Sequence, residues 1–155
     1  MVERFEEFTL YITQAYKYIL KIKAHEMETF GLKASHLMCL YFFGKEEEGL
    51  TAVELCSLCM EDKAGISKTL SELKKQELIT VKNDDDAKIY KAKYVLTEKG
   101  AAVSDKLNDC IIAAVENAGM GLSDEERQSF YYALKLITSN LGTYCSELEE
   151  KHEPD

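Results

Sequence analysis

Residues 50–75, LTAVELCSLCMEDKAGISKTLSELKK, decide the fold, because they contain two short amphipathic helices joined by a tight turn. Thr51 and Glu54 match a capping box, in which each side chain satisfies a free backbone N–H at the start of a helix. Asp62 is placed to cap the second helix, which is predicted to run to about Gln76. This stretch therefore predicts a helix–turn–helix.

The second of these helices has two different faces. Ile66, Leu70 and Leu73 recur at helical spacing, which predicts one buried face. Lys63 and Ser67, four residues apart, lie on another face that is polar. Such a face is usually only solvated, but its place in a helix–turn–helix favours contact with DNA.

Residues 78–96 are predicted to form a charged β-hairpin. Residues 78–81 and 88–96 have strand-like composition, and the second segment alternates with period two. Residues 83–86, Asn-Asp-Asp-Asp, tolerate turn geometry and would connect the two strands. A helix–turn–helix followed by a hairpin predicts a winged helix, in which the hairpin is the wing.

Longer helices are predicted on either side of this unit. Apolar residues recur at helical spacing through residues 3–29, and residues 32–43 are predicted to form a second helix. Thr97 is placed to cap a helix that ends near Ala118, and Ser123 begins a final helix with a second capping box. The predicted class is mainly α (α+β), a winged helix-turn-helix in the order of four helices, two strands and two helices.

Charge is distributed unevenly along the chain, whose formal net charge is -9. Residues 61–100 contain nine lysines against eight acids, a net of +1, whereas residues 101–155 contain eleven acids against four bases, a net of -7. This balance argues against a protein that coats nucleic acid, which needs a broad positive field. It leaves room for one local DNA-binding surface.

Several features predict a cytoplasmic protein. No apolar run approaches the ~20 residues that a transmembrane helix needs, and Glu3 and Glu6 interrupt any signal-peptide pattern. Five cysteines is an odd number, which favours free thiols in a reducing compartment. Cys56 and Cys59 form a C-x-x-C pattern, but a zinc site needs two further ligands, so packing within the helix is favoured. The same interpretation applies to Cys39, Cys110 and Cys145.

The sequence carries no recognisable catalytic motif. There is no G-x-S-x-G, P-loop or G-x-G-x-x-G pattern, and the three histidines are scattered. We therefore expect neither an enzyme nor a bound cofactor. His25 and His36, with Glu26 and Glu28, could bind a metal ion, but two polar histidines at a surface or in a cleft are the favoured interpretation, and no metal is predicted.

The chain resembles the MarR family of winged-helix transcriptional regulators along nearly its whole length. Three segments carry the resemblance: LTAVELCSLCMEDKAGISKTLSELKKQELI (50–79), LTEKG (96–100) and GLSDEERQSFYYALKLI (121–137). Each segment is modestly specific, and their order and spacing together are much more so.

The resemblance implies an organisation and a function. Residues 1–155 would form a single MarR-like domain, with a DNA-binding head at residues 31–100 and dimerisation helices at residues 1–30 and 101–150. The implied protein is a homodimer that binds double-stranded DNA at a pseudo-palindromic site. It is expected to be a repressor that responds to a small-molecule effector.

The resemblance also places the DNA contacts and an effector cleft. On the second helix of the helix–turn–helix, the implied DNA-contacting residues are Lys63, Ala64, Gly65, Ser67 and Lys68. On the wing strands they are Lys82, Lys88 and Lys91. For a cleft between the head and the dimer interface, the candidate residues are Tyr11, Tyr18, His36 and Tyr41. Core packing is the alternative role for these aromatic residues.

The chain departs from the family pattern at the wing and at one helix end. Residues 83–86 stand in place of an arginine signature, and the only arginines are Arg4 and Arg127. Glu77 stands where the family commonly has Gly, which costs about 1 kcal/mol if its backbone is left-handed. Gly65, in mid-helix, either lets the backbone approach DNA or is simply tolerated. A second hypothesis is therefore a winged-helix protein–protein interaction module with weak or lost DNA binding.

Overall fold

A computed structural model describes residues 2–82 and 92–151 of the chain. These residues form six helices and two strands in the predicted order. The elements are α1 (Val2–Glu28), α2 (His36–Lys45), α3 (Ala52–Cys59), α4 (Lys63–Lys75), β1 (Ile79–Val81), β2 (Tyr94–Leu96), α5 (Glu98–Ala118) and α6 (Asp124–Glu150). The two strands pair antiparallel, with Ile79 opposite Leu96 and Val81 opposite Tyr94. The predicted winged helix-turn-helix class is confirmed.

The junction between α1 and α2 differs from the prediction, because α2 begins at His36 rather than at residue 32. Gly31 has a φ of 65° and ends α1. The N–H of Leu32 donates to the carbonyl of Met27 at 2.9 Å, which is the long hydrogen bond of a Schellman motif. A further turn precedes α2. The His36 N–H closes it by donating to the Lys33 carbonyl at 2.9 Å.

The helix–turn–helix forms as predicted. Thr51 Oγ1 accepts the N–H of Glu54 at 3.2 Å, and the Thr51 N–H donates to Glu54 Oε2 at 2.7 Å, which completes the capping box. Helix α3 ends at Met60, whose φ of 55° is left-handed and costs a non-glycine residue roughly 1–2 kcal/mol. Asp62 then caps α4 by accepting the N–H of Gly65 at 2.7 Å.

One apolar core holds these elements within the compact unit of residues 1–114. Its fully buried members come from five helices and β1, and they are Met27, Cys39, Leu40, Leu55, Ile66, Leu73, Ile79 and Leu107. Burying an apolar side chain of this size contributes roughly 1.5–3 kcal/mol. Packing against α2 and α3 therefore fixes the position of α4, as its apolar stripe predicts.

Hydrogen bonds connect the start of α5 to the residues that follow α4. Thr97 Oγ1 donates to the carbonyl of Glu77 at 2.7 Å, and the Thr97 N–H donates to the carbonyl of Leu78 at 3.0 Å. Gly100 approaches so closely that a Cβ there would overlap the Leu78 carbonyl oxygen, so no larger residue fits. Glu77 has a φ of 60°, which confirms that this family departure takes a left-handed backbone.

Residues 115–155 form the second compact unit, of which the structure describes residues up to 151. Its predicted capping box is present. The Ser123 N–H donates to Glu126 Oε2 at 2.8 Å, and the Glu126 N–H donates to Ser123 Oγ at 3.3 Å. Helix α6 has no buried residue along its described length.

Candidate nucleic-acid interface

Helix α4 presents one buried and one exposed face. The buried side chains are Ile66, Thr69, Leu70 and Leu73. Four of the five α4 positions predicted to contact DNA are exposed, namely Lys63, Ala64, Ser67 and Lys68. The structure thus places these four residues in the N-terminal half of one solvent-facing helix.

This surface carries two exposed lysines, Lys63 and Lys68. Across residues 2–82 and 92–151, neither Lys63 nor Lys68 forms an ion pair. The N-terminus of α4 also carries the partial positive charge of the helix dipole, which is partly offset by its cap Asp62 and by the neighbouring Glu61. Both ammonium groups are available to a phosphate or to a base edge.

Gly65 lies in the first turn of α4 and not in mid-helix, which corrects the interpretation from the sequence. Its N–H is bonded to Asp62 Oδ1, as part of the helix cap. A Cβ at this position would lie 3.4 Å from Asp62 Oδ1 and 3.4 Å from Glu61 Oε2, which is ordinary contact. The fold itself therefore does not require glycine here.

A polar cluster joins the start of α2 to the middle of α4. Nε2 of the buried His36 lies 2.8 Å from Glu72 Oε2, and Lys33 Nζ lies 2.5 Å from Glu72 Oε1. His36 Nδ1 accepts the backbone N–H of Lys33 at 3.3 Å. Because Nδ1 is an acceptor, the proton resides on Nε2, and neutral His36 donates it to Glu72. Glu72 could not be identified from the sequence, because nothing in its local spacing signals a partner on α2.

Burial and charge set the protonation of this cluster. Burial lowers the pKa of His36 below 6.5, although the hydrogen bond that His36 donates to Glu72 opposes that shift and Lys33 adds to it. The hydrogen bond from Lys33, followed by that from His36, lowers the pKa of the Glu72 carboxyl. A neutral imidazole and an ionised carboxylate therefore coexist near pH 7.

The cluster borders a shallow pocket beside the exposed face of α4. Its lining includes Lys33, Ser35, Glu61, Gly65, Lys68 and Glu72. Two lysines and two glutamates face the same depression. The charge of this region is therefore mixed, and of its two lysines Lys68 has no ion pair within residues 2–82 and 92–151.

Of the three wing lysines predicted to contact DNA, the structure describes Lys82. Lys82 Nζ lies 2.6 Å from Glu48 Oε2, in an exposed ion pair that lowers the pKa of the Glu48 carboxyl. Surface ion pairs of this kind contribute little stability and break readily. Lys88 and Lys91, and the acidic residues 83–86, lie outside the described residues, so the wing contacts predicted for them stay predictions.

The four residues predicted to line an effector cleft lie in different surroundings. Tyr11 and Tyr18 are exposed on α1. Tyr41 is half-buried on α2, with its ring 5.3 Å from that of Phe42, and His36 is engaged by Glu72. Among the described residues, no hydrogen bond or ring contact joins any two of the four. The cleft therefore stays a prediction.

Two long helices expose large apolar side chains. Helix α1 buries only Met27 and exposes Phe5, Leu10, Tyr11, Ile12, Tyr16, Tyr18, Ile19, Leu20 and Ile22. Helix α6 exposes Phe130, Tyr131, Tyr132, Leu136, Ile137, Leu141, Tyr144 and Leu148. Exposed apolar side chains that gather into large patches mark interaction sites.

These features define a winged helix whose second helix–turn–helix element exposes a lysine-bearing face, the architecture of the helix–turn–helix DNA-binding class. Residues 30–89 match the MarR family. The resemblance to that family is thus confirmed in sequence for the head. No curated protein matches the chain.

Solved structures extend the similarity to most of the chain. A putative MarR family regulator from Listeria monocytogenes, solved with 26mer DNA, has a TM-score of 0.80 and 18% identity, over 93% of this chain and 95% of that one. The S. aureus MepR–DNA complex has a TM-score of 0.74 and 19% identity, over 85% and 94%. Staphylococcus aureus MarR with salicylate and kanamycin has a TM-score of 0.73 and 19% identity, over 89% and 92%. At these identities the similarity establishes the MarR fold.

No helix within residues 2–82 and 92–151 combines the length and the apolar character required to cross a bilayer.

Proposed function

We propose that this protein is a dimeric DNA-binding transcriptional regulator of the MarR type, acting as a ligand-responsive repressor. The observation that carries the proposal is the exposed face of α4. Lys63, Ser67 and Lys68 lie there on a capped helix, and neither lysine is paired within the described residues. A rigid core holds that helix, which is what a base-reading element requires.

DNA binding would place the N-terminal half of α4 in the major groove. Ser67 can donate to or accept from base edges, and a lysine can donate to guanine O6 and N7. Lys63, at the helix start, is suited to a phosphate. If two lysines per head each neutralise one phosphate, a dimer would show a salt slope of roughly -3 to -4 from these residues.

Dimerisation through the long helices follows from their exposed apolar faces. Helix α1 leaves most of its large apolar side chains exposed. Helix α6, taken by itself, does the same. A second copy of the chain would bury them and would present two heads to a pseudo-palindromic site. The proposed dimerisation region comprises residues 1–30 and 101–150.

An effector would act by changing the geometry of the two heads. The structure of S. aureus MarR contains salicylate and kanamycin. Tyr11, Tyr18, His36 and Tyr41 are the candidate effector-binding residues in this chain. Its proposed setting is the cytoplasm, and its proposed activity is binding alone, without catalysis.

The test is a mobility-shift titration of the purified protein on the DNA upstream of its own reading frame. We expect a saturable shift at low salt that weakens as salt rises. The variant Lys63→Glu/Lys68→Glu should lose at least tenfold in affinity, because it replaces both lysines in the N-terminal half of α4 with anions.

A matched control reverses the same charge elsewhere. Lys74→Glu/Lys75→Glu changes two exposed lysines in the last turn of α4, outside the proposed DNA contacts and the proposed dimerisation region, and should bind DNA within about threefold of wild type. If wild type gives no shift at low salt, or the two double variants bind equally, the DNA-binding proposal is wrong.

A protein–protein interaction module is the second candidate, and two observations favour it. Lys82 and Lys33, two cations of the head, are already paired with Glu48 and Glu72, and residues 83–86 add negative charge to the wing. This candidate predicts salt-labile, sequence-independent DNA association at most. A stable complex with a protein partner that survives the Lys63→Glu/Lys68→Glu change would support it.

A further inference from the structure

Two cysteine side chains meet inside the head. Sγ of Cys39, on α2, lies 3.7 Å from Sγ of Cys59, the last residue of α3. Cys39 is buried and Cys59 is half-buried, so one sulfur is shielded and the other is partly open to solvent. Cys56, three residues before Cys59, also packs against the core, but no sulfur contact joins it to Cys39 in the described structure.

The contact makes the two thiols chemically unequal. The hydrogen bond with Cys39 lowers the pKa of Cys59, and Lys23 acts in the same direction, while burial and Glu61 oppose the shift. The same hydrogen bond and burial raise the pKa of Cys39. The thiolate of this pair therefore forms on Cys59, the more accessible sulfur, with the Cys39 S–H as its donor. A thiolate is the reactive form of cysteine.

We propose that Cys39 and Cys59 are a thiol–disulfide site, oxidised by hydroperoxides, and that the disulfide weakens DNA binding by the head. The covalent part stands on the sulfur contact alone. The consequence for DNA rests on the proposed function. Neither part follows from the packing role that the sequence suggested for these cysteines.

The chemistry takes two steps and needs only the peroxide. The Cys59 thiolate attacks one peroxide oxygen, the O–O bond breaks, and the leaving alkoxide or hydroxide takes up a proton, which gives Cys59 sulfenic acid. The Cys39 sulfur then attacks the Cys59 sulfur, forming the S–S bond and releasing water with the proton from Cys39. The two sulfurs together lose two electrons, and the peroxide gains them.

The position of Cys59 connects this bond to α4. A disulfide requires the sulfurs to approach from 3.7 Å to about 2.05 Å. Cys59 is followed by Met60 in its left-handed conformation, and then by Glu61 and the α4 cap Asp62. Any backbone movement that closes the bond draws the end of α3 toward α2. It therefore shifts the turn that positions the first residues of α4.

Peptide mapping tests the bond itself. The experiment uses reduced protein that carries Cys145→Ser, which removes the exposed thiol. This protein is treated with hydrogen peroxide, alkylated, and cleaved with trypsin without reduction. We expect the peptides of residues 34–45 and 46–63 to be joined, with a mass loss of two hydrogens that dithiothreitol reverses. The joined species should persist in Cys56→Ser and vanish in Cys59→Ser. Its absence in wild type, or its loss in Cys56→Ser only, overturns the inference.

DNA titration tests the consequence with the same variants. Peroxide should lower the affinity of the parent protein and of Cys56→Ser at least tenfold, reversibly with dithiothreitol. It should leave Cys59→Ser unchanged. Equal loss in Cys59→Ser, or full affinity in the cross-linked protein, overturns the proposed consequence. If reduced protein binds no DNA, the proposed function fails, while the peptide map still decides the disulfide.

Discussion

His36 Nε2 lies 2.8 Å from Glu72 Oε2, and this hydrogen bond joins the buried start of α2 to the middle of α4. The imidazole is satisfied on both sides, because its Nδ1 accepts the backbone N–H of Lys33. A buried donor or acceptor that loses its partner costs about 1–3 kcal/mol. Helix α4, which is proposed to read DNA, is therefore held by a polar contact in addition to its apolar face.

Replacing His36 should destabilise the head. His36→Ala removes a buried ring and leaves the Lys33 N–H without its acceptor, so we expect a loss of roughly 1–3 kcal/mol in the free energy of unfolding. Urea denaturation followed by circular dichroism measures it. His25→Ala removes an exposed histidine of α1 and should change stability by less than about 0.5 kcal/mol. Equal effects of the two changes would contradict the prediction.

Stability should fall as the pH drops below neutrality. The folded pKa of His36 lies below its unfolded value of 6.5, so the unfolded chain binds the extra proton first. The contribution is fully present above pH 6.5 and is lost as the pH falls through the folded pKa. Unfolding free energies at pH 7.5 and pH 5.5 should differ in wild type. In His36→Ala the difference between the two pH values should be clearly smaller than in wild type. In His25→Ala it should equal the wild-type difference.

Gly65→Ala separates two interpretations of a glycine in α4. Its Cβ would meet only ordinary contacts, and alanine favours a helix by up to about 1 kcal/mol over glycine. We expect unchanged or increased stability together with at least a fivefold loss of DNA affinity, if the backbone approaches DNA here. Thermal unfolding and DNA titration of the same preparation measure both. Unchanged affinity would show that glycine is merely tolerated at this position.

Glu77→Gly should stabilise the protein. Glu77 has a φ of 60°, and this left-handed conformation costs a residue with a Cβ roughly 1–2 kcal/mol that glycine avoids. The gain should be smaller than that amount, because glycine also loses more backbone entropy on folding. Glu77→Ala is the control, since it removes the carboxylate but retains the Cβ. A gain in Glu77→Ala equal to that in Glu77→Gly would assign the effect to charge.

Local features of this fold could be predicted from the sequence. The capping boxes at Thr51 and Ser123 form as predicted, because a capping box involves residues only three apart. The apolar stripe of α4 is buried for the same reason, since helical spacing alone sets which residues share a face. The start of α2 was predicted four residues early, because the turn after Gly31 continues to His36 before the helix begins.

Contacts between distant residues could not be predicted. His36 and Glu72 are 36 residues apart, and Lys82 and Glu48 are 34 residues apart. No periodicity connects such pairs, so nothing in the sequence indicates the ion pair between Lys82 and Glu48, and the phosphate contact predicted for Lys82 stays a prediction. The exposed face of α4 was predictable, and the polar contacts that support it were not.

The attachment of α5 to the end of α4 has a mechanical consequence. Thr97 bonds to Glu77 and Leu78, and Gly100 rests against the Leu78 carbonyl, so a rotation of α5 is transmitted to the end of α4 and, through the core that they share, to the head. Helix α4 is 13 residues long, or about 20 Å. A rotation of α5 by about 5° about this joint would swing Lys63 through roughly 2 Å at the far end of that length. Such a lever converts a small reorientation of α5 into a displacement large enough to break a hydrogen bond of the kind proposed between α4 and a base.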